Sequence, residues 1–595
     1  MCKKIVCYIQ TICKETGFCF SLSWKTSPLY TMLRILCNII LPISTTISVL
    51  MGKYLLDAIV KGIGGIEDSG VVAYIIVIML VGIVEVLCKK MAQYAQTMHE
   101  GLLEKELTEY IMGKACMTDF ENFDNAEYYN MLTASMYSIP GITGLLWNVL
   151  TAVSNVTAFV LAFSVLGQTK LEYGMIILIA AVPSSIVSLG FTRQVHEMNI
   201  RQIKKERKKG YFMGLAVERR YAQDIRLYNL AEFLKMKYRK EWQQVFSERK
   251  QTIKCQSVWK GLLECLPEII IAWMGLDIAR NIMSGKGTLG DYSLYMGLLS
   301  QLWGSIEALT GSLTQMYDNQ LKIDYLKGLE GSKNSIENNG KRELKKIVEL
   351  MFCNVSFCYP GTDKKILEKV SFTIEKGDKI AFVGKNGSGK STIVKLLLRL
   401  YDVEEGQILI NGYDIKEYRI EEVRKQFAVY FQEAPCYSMS WKENITMSDR
   451  EKQSDEKEIR EIIQASDMAQ VLEKAPKGMD TQISKLFDKT GLELSGGQYQ
   501  KLALERTLYR EHSVLVLDEP SSNLDPLAEK KLFHEWKKAA DDKIFLFISH
   551  HMTNIASTDR VIVLEAGRII EDGVAGTLAE QGGYYAKLLK EVEEK

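Results

Sequence analysis

Long apolar runs fill residues 28–325, whereas residues 330–595 alternate short apolar strands with helical stretches. A helix crossing a bilayer needs about 20 mostly apolar residues. Six segments meet that need, at roughly 31–59, 70–96, 143–167, 172–193, 256–283 and 291–318. Pro42, Pro183 and Pro267 fall inside them, where neighbouring helices can satisfy the carbonyls a proline frees. The polar connections set the orientation. Residues 193–254 carry 17 Lys and Arg, while the short connections near 60–69, 168–171 and 284–290 carry one lysine each, Lys61, Lys170 and Lys286. The excess of basic residues predicts that the long loops, both termini and the C-terminal half face the cytoplasm.

The long loops keep apolar residues at helical spacing over 104–135 and 200–250, so the membrane helices are expected to continue into the cytosol. A turn-like break in each, at 119–132 and 222–234, predicts a short transverse helix. The first 20 residues open on Lys3 and Lys4 and then mix polar with apolar positions, the pattern of an amphipathic surface helix rather than a cleaved signal. Residues 331–346 are polar and rich in Gly and Asn and read as a linker. They separate a helical membrane domain, residues 1–330, from an α/β domain, residues 347–595, with a mostly parallel sheet.

Composition changes this picture little. The chain of 595 residues is 47% hydrophobic and 25% charged with net charge +1, which excludes a disordered chain, a collagen and a small disulfide scaffold. A neutral balance gives no support to nucleic-acid binding through bulk positive charge. The 12 cysteines are scattered without a CxxC and read as reduced, structural residues.

The chemistry lies in the α/β half. Residues 384–391 read GKNGSGKS between a strand (379–383) and a helical run (392–400). Gly384, Gly387 and Gly389 let the backbone wrap an anion so that its N–H groups point at phosphate oxygens. Lys390 would neutralise the β and γ phosphates of ATP, Ser391 would offer a hydroxyl to Mg²⁺, and the helix N-terminus adds partial positive charge. Asn386, Ser388 and Thr392 complete the expected nucleotide-binding set. The buried strand SVLVLDEP (513–520) ends in two acids: Asp518 to hold Mg²⁺ and Glu519 as the general base for the attacking water. Between these motifs, LELSGGQ (492–498) bares the backbone of Ser495, Gly496 and Gly497 at a predicted helix start, with Gln498 following, a second anion site.

In this order the motifs resemble those of the ATP-binding cassette family, and the likeness extends over nearly the whole chain. Six spans followed by one P-loop cassette resemble an exporter-type half-transporter. The resemblance implies that ATP is held between the phosphate loop of one cassette and the signature of a second. It further implies that Tyr359 stacks on adenine, Gln432 senses Mg²⁺ and reports to the membrane helices, Asp525 lies at the dimer contact and His550 touches the γ-phosphate. Two stretches depart from the pattern: LFDKTGLELSGGQ lacks the usual Gly/Glu-rich approach to the signature, and Glu505 stands where an alanine is usual. The second departure, with RRYAQDIRLYNLAEFL (219–234), resembles a bacterial branch linked to peptide and secondary-metabolite export. Both catalytic hallmarks are intact, which favours an active homodimer over a heterodimer with an impaired half. No Cys/His protease pattern precedes the first span, so leader cleavage by this chain is not expected. An importer using the same fold and an ATP-gated channel are the rival readings.

Ionisable residues within spans are costly and so mark candidate function. Glu85, Glu264, Glu268, Asp277 and Glu307 fall in or near spans, with Trp259, Trp273 and Trp303 nearby, and Glu264 and Glu268 are one helical turn apart. An acidic, aromatic-lined cavity would suit a cationic amphipathic substrate; hydrated or ion-paired acids near the span ends are the alternative.

Overall fold

The computed structural model describes residues 17, 20–63, 70–168, 170–331, 336–452, 455–520, 526–549 and 552–593. It comprises two units: Met1–Met117 with Ala126–Ser332, and Thr118–Asn125 with Lys333–Lys595.

The first unit is built from long helices, α1 (Pro28–Ile63), α2 (Val71–Met117), α3 (Ala126–Gly167), α4 (Leu171–Val217), α6 (Ala231–Met283) and α7 (Leu289–Gly331), with the short α5 (Ala222–Leu227) between α4 and α6. Each predicted span lies on one of the long helices. α6, at 53 residues, is about 80 Å long at 1.5 Å per residue and so far exceeds a hydrocarbon core of about 30 Å. Among the described residues, four helices are long and apolar enough to cross a membrane: α1, α2, the Ile139–Gly167 part of α3, and α4. The fifth and sixth expected spans fall on helices of lower apolar content. Lys260, Glu264, Glu268 and Asp277 punctuate α6, and Ser, Gly and Tyr residues dilute α7. The helices pack through buried apolar faces: Leu145, Leu146 and Trp147 of α3 cluster with Ile323 and Leu326 of α7. A second cluster joins Ala162 and Leu166 of α3, Ile177 of α4, Met274 of α6 and Leu298 of α7.

The transverse elements are shorter than the sequence predicts. Phe120–Asp124 is a single 3₁₀ turn, because Ala126 already begins α3. The second break is the 3₁₀ turn Arg219–Tyr221 followed by α5. The amphipathic helix expected over the first 20 residues lies almost wholly outside the described residues.

Two sheets organise the second unit. The larger has the order β10-β9-β3-β8-β7-β6. Its strands β6 (Phe427–Tyr430), β7 (Val514–Asp518), β8 (Ile544–Ile548), β3 (Lys379–Val383) and β9 (Arg560–Glu565) are parallel, and β10 (Arg568–Gly573) is an antiparallel edge. Both faces of this sheet are buried. Ile380, Phe382, Val516 and Leu546 point into one core, while Ala381, Val383, Leu515, Leu517, Phe545 and Phe547 point into the other. Period-two alternation between two cores is why these strands read as unbroken apolar runs. The smaller sheet, β2-β1-β4-β5, is antiparallel and joins β1 (Glu349–Cys358), β2 (Lys365–Glu375), β4 (Glu405–Ile410) and β5 (Tyr413–Asp414). The sequence pattern predicts only the parallel sheet. No helix separates β1 from β2, so the two pair as neighbours.

Candidate functional site

The parallel sheet brings two chemical segments to one edge. β3 and β7 flank β8, and the chain leaves β3 into the loop 384–389 and leaves β7 at Asp518. The carboxyl ends of parallel strands are where open α/β sheets hold ligands. Two glycines of the loop have no substitute. Gly389, with φ +107°, precedes helix α8 (Lys390–Leu397), and a Cβ there would lie 2.6 Å from Leu367 Cδ2. At Gly384 a Cβ would meet the Leu564 carbonyl oxygen at 2.2 Å. Both positions let backbone approach backbone around the loop.

Lys390 folds back over the loop, its Nζ donating to the carbonyls of Gly384 at 2.8 Å and Lys385 at 3.2 Å. Burial lowers its pKa, and the nearby Glu519 and Asp518 oppose that shift. Asp518 is the counterpart. Burial raises its pKa against a hydrogen bond from Ser391, and its Oδ1 is buried with no hydrogen-bond partner. The Ser388 hydroxyl is likewise buried without a partner. Buried orphan oxygens beside a buried ammonium are unusual, because each costs about 1–3 kcal/mol unless something fills its bonding capacity. A hydrated Mg²⁺ with a nucleotide phosphate fits that need.

Glu519 takes a left-handed backbone, φ +49°, which carries its side chain out of the strand direction. Gln432, two residues beyond β6, donates from Nε2 to Glu519 Oε2 at 2.6 Å. These two predicted residues, 87 positions apart in sequence, are in direct contact. Tyr359 stands beside α8: its hydroxyl is 3.1 Å from Thr392 Oγ1, and the Lys395 ammonium lies 5.2 Å from its ring centroid. An edge-to-face contact at 5.2 Å links Tyr359 to Tyr401, and the Tyr401 hydroxyl donates to Asp124 Oδ2 at 2.7 Å. Phe120 also meets the Tyr401 ring edge-on, at 5.9 Å. Sequence reasoning missed this chain of contacts, because no spacing rule ties residue 401 to residues 120 and 124.

The signature is a capped helix start. Three helices further along the chain bear on it, labelled α9 (Trp441–Thr446), α10 (Glu456–Ala465) and α11 (Gly496–Tyr509). Ser495 caps α11 in a reciprocal box: its hydroxyl accepts from the Gln498 N–H, and its own N–H donates to Gln498 Oε1 at 2.8 Å. Ser495 and Gly496 are exposed, and nothing lies within 4 Å of a Cβ built on Gly496. The backbone N–H groups of this helix start are open to an external anion. Two turns along α11, Glu505 is fully buried, accepting from Trp441 Nε1 of α9 at 2.9 Å and from the Ser466 hydroxyl at the end of α10 at 2.5 Å. Burial pushes its pKa up to about 7, against those two hydrogen bonds and the Lys501 charge. Asp525 and His550 lie outside the described residues.

Comparison with known proteins matches these features. Residues 367–522 fit the family model described as ABC transporter. The subtilin transport ATP-binding protein SpaT of Bacillus subtilis is 30% identical over 484 residues, which cover 80% of this chain and 78% of that one. An ATP-dependent lipid A-core flippase of Haemophilus ducreyi is 32% identical over 338 residues, 56% of this chain and 57% of the flippase. The fold is that of a solved bacterial Atm1-family ABC exporter with ATP bound, at a TM-score of 0.81 and 21% identity, covering 95% of this chain and 98% of that one. With its long apolar helices preceding a phosphate-loop cassette, the chain belongs to the ABC transporter family, as an ATP-hydrolysing half-transporter of exporter type.

Proposed function

We propose that this chain is one half of a dimeric exporter in a bacterial cell membrane, with its cassette and both termini in the cytoplasm, moving a peptide, secondary metabolite or amphipathic compound. The observation that carries the catalytic reading is the contact of Glu519 with Gln432 beside the orphan oxygen of Asp518 and the buried ammonium of Lys390. Glu519 takes the proton of the attacking water, and Gln432 holds that carboxylate in place. Lys390 exchanges its two loop carbonyls for phosphate oxygens, the differential binding that orders the loop on ATP. Ser391, Asp518 and Gln432 would hold Mg²⁺, which supplies neutralisation of phosphate charge. Tyr359 stacks on adenine, and the loop of Asn386, Gly387, Ser388 and Thr392 surrounds the phosphates. Asp525 at the dimer contact and His550 at the γ-phosphate belong to this proposal on the sequence alone.

The exposed start of α11 is suited to a γ-phosphate bound on a second cassette, so ATP binding favours a closed pair. A homodimer is favoured because Glu519 and the Ser495–Gln498 signature are both present in the one chain. Thr118–Asn125 belongs to the cassette unit although α2 and α3 of the other unit flank it in the chain. The bond from Tyr401 to Asp124 therefore gives cassette movement a covalent route to two membrane helices. Closure turns the transport path outward, and hydrolysis resets it. The exporter fold favours this direction over import, and the SpaT relative is named for the transport of subtilin.

The test is ATP-driven uptake of labelled cationic peptides into inside-out vesicles containing only this chain. Accumulation that requires ATP is expected. Accumulation in the opposite sense, or equal movement without ATP, would overturn the reading.

A further inference from the structure

Within the helical unit, α4, α6 and α7 enclose a small chamber lined by Ser184, Ser188, Glu264, Trp303 and Glu307, among others, with about 20 Å³ open to a water-sized group. That is room for one water or one ammonium group. The lining comes from regular spacing on each helix: Ser184 and Ser188 are one turn apart on α4, Lys260 and Glu264 on α6, and Trp303 and Glu307 on α7. A hydrogen bond between Ser185 and Thr310, at 2.9 Å, ties α4 to α7 at the same level.

Three observations set what the chamber can bind. Lys260 pairs with Glu264 at 3.3 Å, which neutralises both. Glu307 has no ion pair among the described residues, so the lining carries one net negative charge. Ser184 and Ser188 are 7% and 5% exposed, both line the chamber, and their hydroxyls make no side-chain hydrogen bond among the described residues, which leaves them open to a bound donor. Trp303, itself 8% exposed, adds an indole ring, the aromatic surface that best attracts a cation.

We infer that the chamber receives one protonated amine of the transported molecule, with Glu307 as counter-ion, the Ser184 and Ser188 hydroxyls as acceptors and Trp303 as one wall. An ammonium has three donors and no acceptor, and the chamber offers a carboxylate and two unpaired hydroxyl oxygens. Glu307 is exposed at the mouth of the chamber while Ser184, Ser188 and Trp303 are buried, so a cation can set its charge against the carboxylate and its donors against the hydroxyls, whereas an anionic group would meet a like charge. Glu268, four residues from Glu264, does not line the chamber.

This inference rests on the exporter reading, but its test does not use ATP. The probe is dansylcadaverine, a primary amine, against its N-acetylated form, titrated by fluorescence anisotropy onto the full chain in nanodiscs. The wild type is expected to bind the free amine at least ten-fold more tightly than the acetylated form. Glu307→Gln should abolish that preference, Ser184→Ala/Ser188→Ala should reduce it several-fold, and Glu268→Gln should leave it intact. Equal binding of the two probes, no binding of the amine, or a preference that survives Glu307→Gln would overturn the inference. ATP turnover measured on the same samples separates the cases: turnover without amine preference removes the chamber and leaves the exporter, and a folded, ATP-binding sample without turnover strikes the homodimer and leaves the amine preference to decide on the chamber.

Discussion

Glu505 is a carboxyl group with no water contact, and its substitution tests whether burial or hydrogen bonding governs it. Its pKa rises from 4.5 to about 7, with desolvation as the largest cause. The folded protein therefore binds this proton more tightly than the unfolded chain does. Stability from the neutral form is complete below pH 4.5 and is lost as pH rises through 7. A rise of that size is worth about 3 kcal/mol at 1.36 kcal/mol per unit, of which about 2 kcal/mol falls between pH 5.5 and 8.5. Glu505→Gln cannot ionise, yet its carbonyl can accept from Trp441 and its amide can donate to Ser466, the two partners now bound. For a domain of this size, 1 kcal/mol moves the melting temperature by about 2–4 °C. The assay is thermal unfolding of the cassette transition in the full chain, followed by tryptophan fluorescence from pH 5.5 to 8.5. Wild type should lose about 4–8 °C over that range relative to Glu505→Gln. Parallel curves for the two proteins would refute the buried-carboxyl argument. Glu505→Ala should instead be destabilised by about 2–4 kcal/mol at every pH, because it leaves a cavity and the buried Trp441 Nε1–H without an acceptor, whereas the Ser466 hydroxyl keeps the Ile463 carbonyl.

Gly389→Ala places a methyl group 2.6 Å from Leu367 Cδ2 at φ +107° and should weaken ATP binding at least ten-fold, as measured with a fluorescent nucleotide analogue. Lys390→Ala should abolish binding in the same assay, because no other ammonium hydrogen-bonds to the loop carbonyls of Gly384 and Lys385 among the described residues. Tyr401→Phe removes the donor to Asp124, a hydrogen bond to a charged group worth about 1.5–3 kcal/mol. It should raise hydrogen exchange over residues 118–125 and lower transport while leaving ATP affinity unchanged.

Sequence legibility followed the range of each interaction. The phosphate loop, the Asp518–Glu519 strand end and the Ser495 cap are local patterns, written in residues within a few positions of one another. All three fall at the strand and helix boundaries that their composition predicts. The antiparallel sheet was not legible, because β1 pairs with β4 across an intervening hairpin, phosphate loop and helix. Glu505 stood out as an unusual residue, but its partners lie 64 and 39 positions away, and only the folded chain shows that it is satisfied. The bond between Tyr401 and Asp124 spans 277 positions. The last two membrane segments were legible as helices, although their charges and small polar residues place them below the apolar content of the other four. Those interruptions include Glu264 and Glu307, which line the chamber between α4, α6 and α7.

The central claim is that Glu519 drives ATP hydrolysis in a pair of identical chains. The most direct measurement is ATP turnover of the purified chain alone in lipid vesicles, wild type beside Glu519→Gln. Steady turnover by the wild type, reduced about 10²–10⁴-fold in the variant with ATP binding retained, is the predicted result. Turnover unchanged by Glu519→Gln would contradict the catalytic assignment, and a folded, ATP-binding wild type with no turnover would contradict the homodimer.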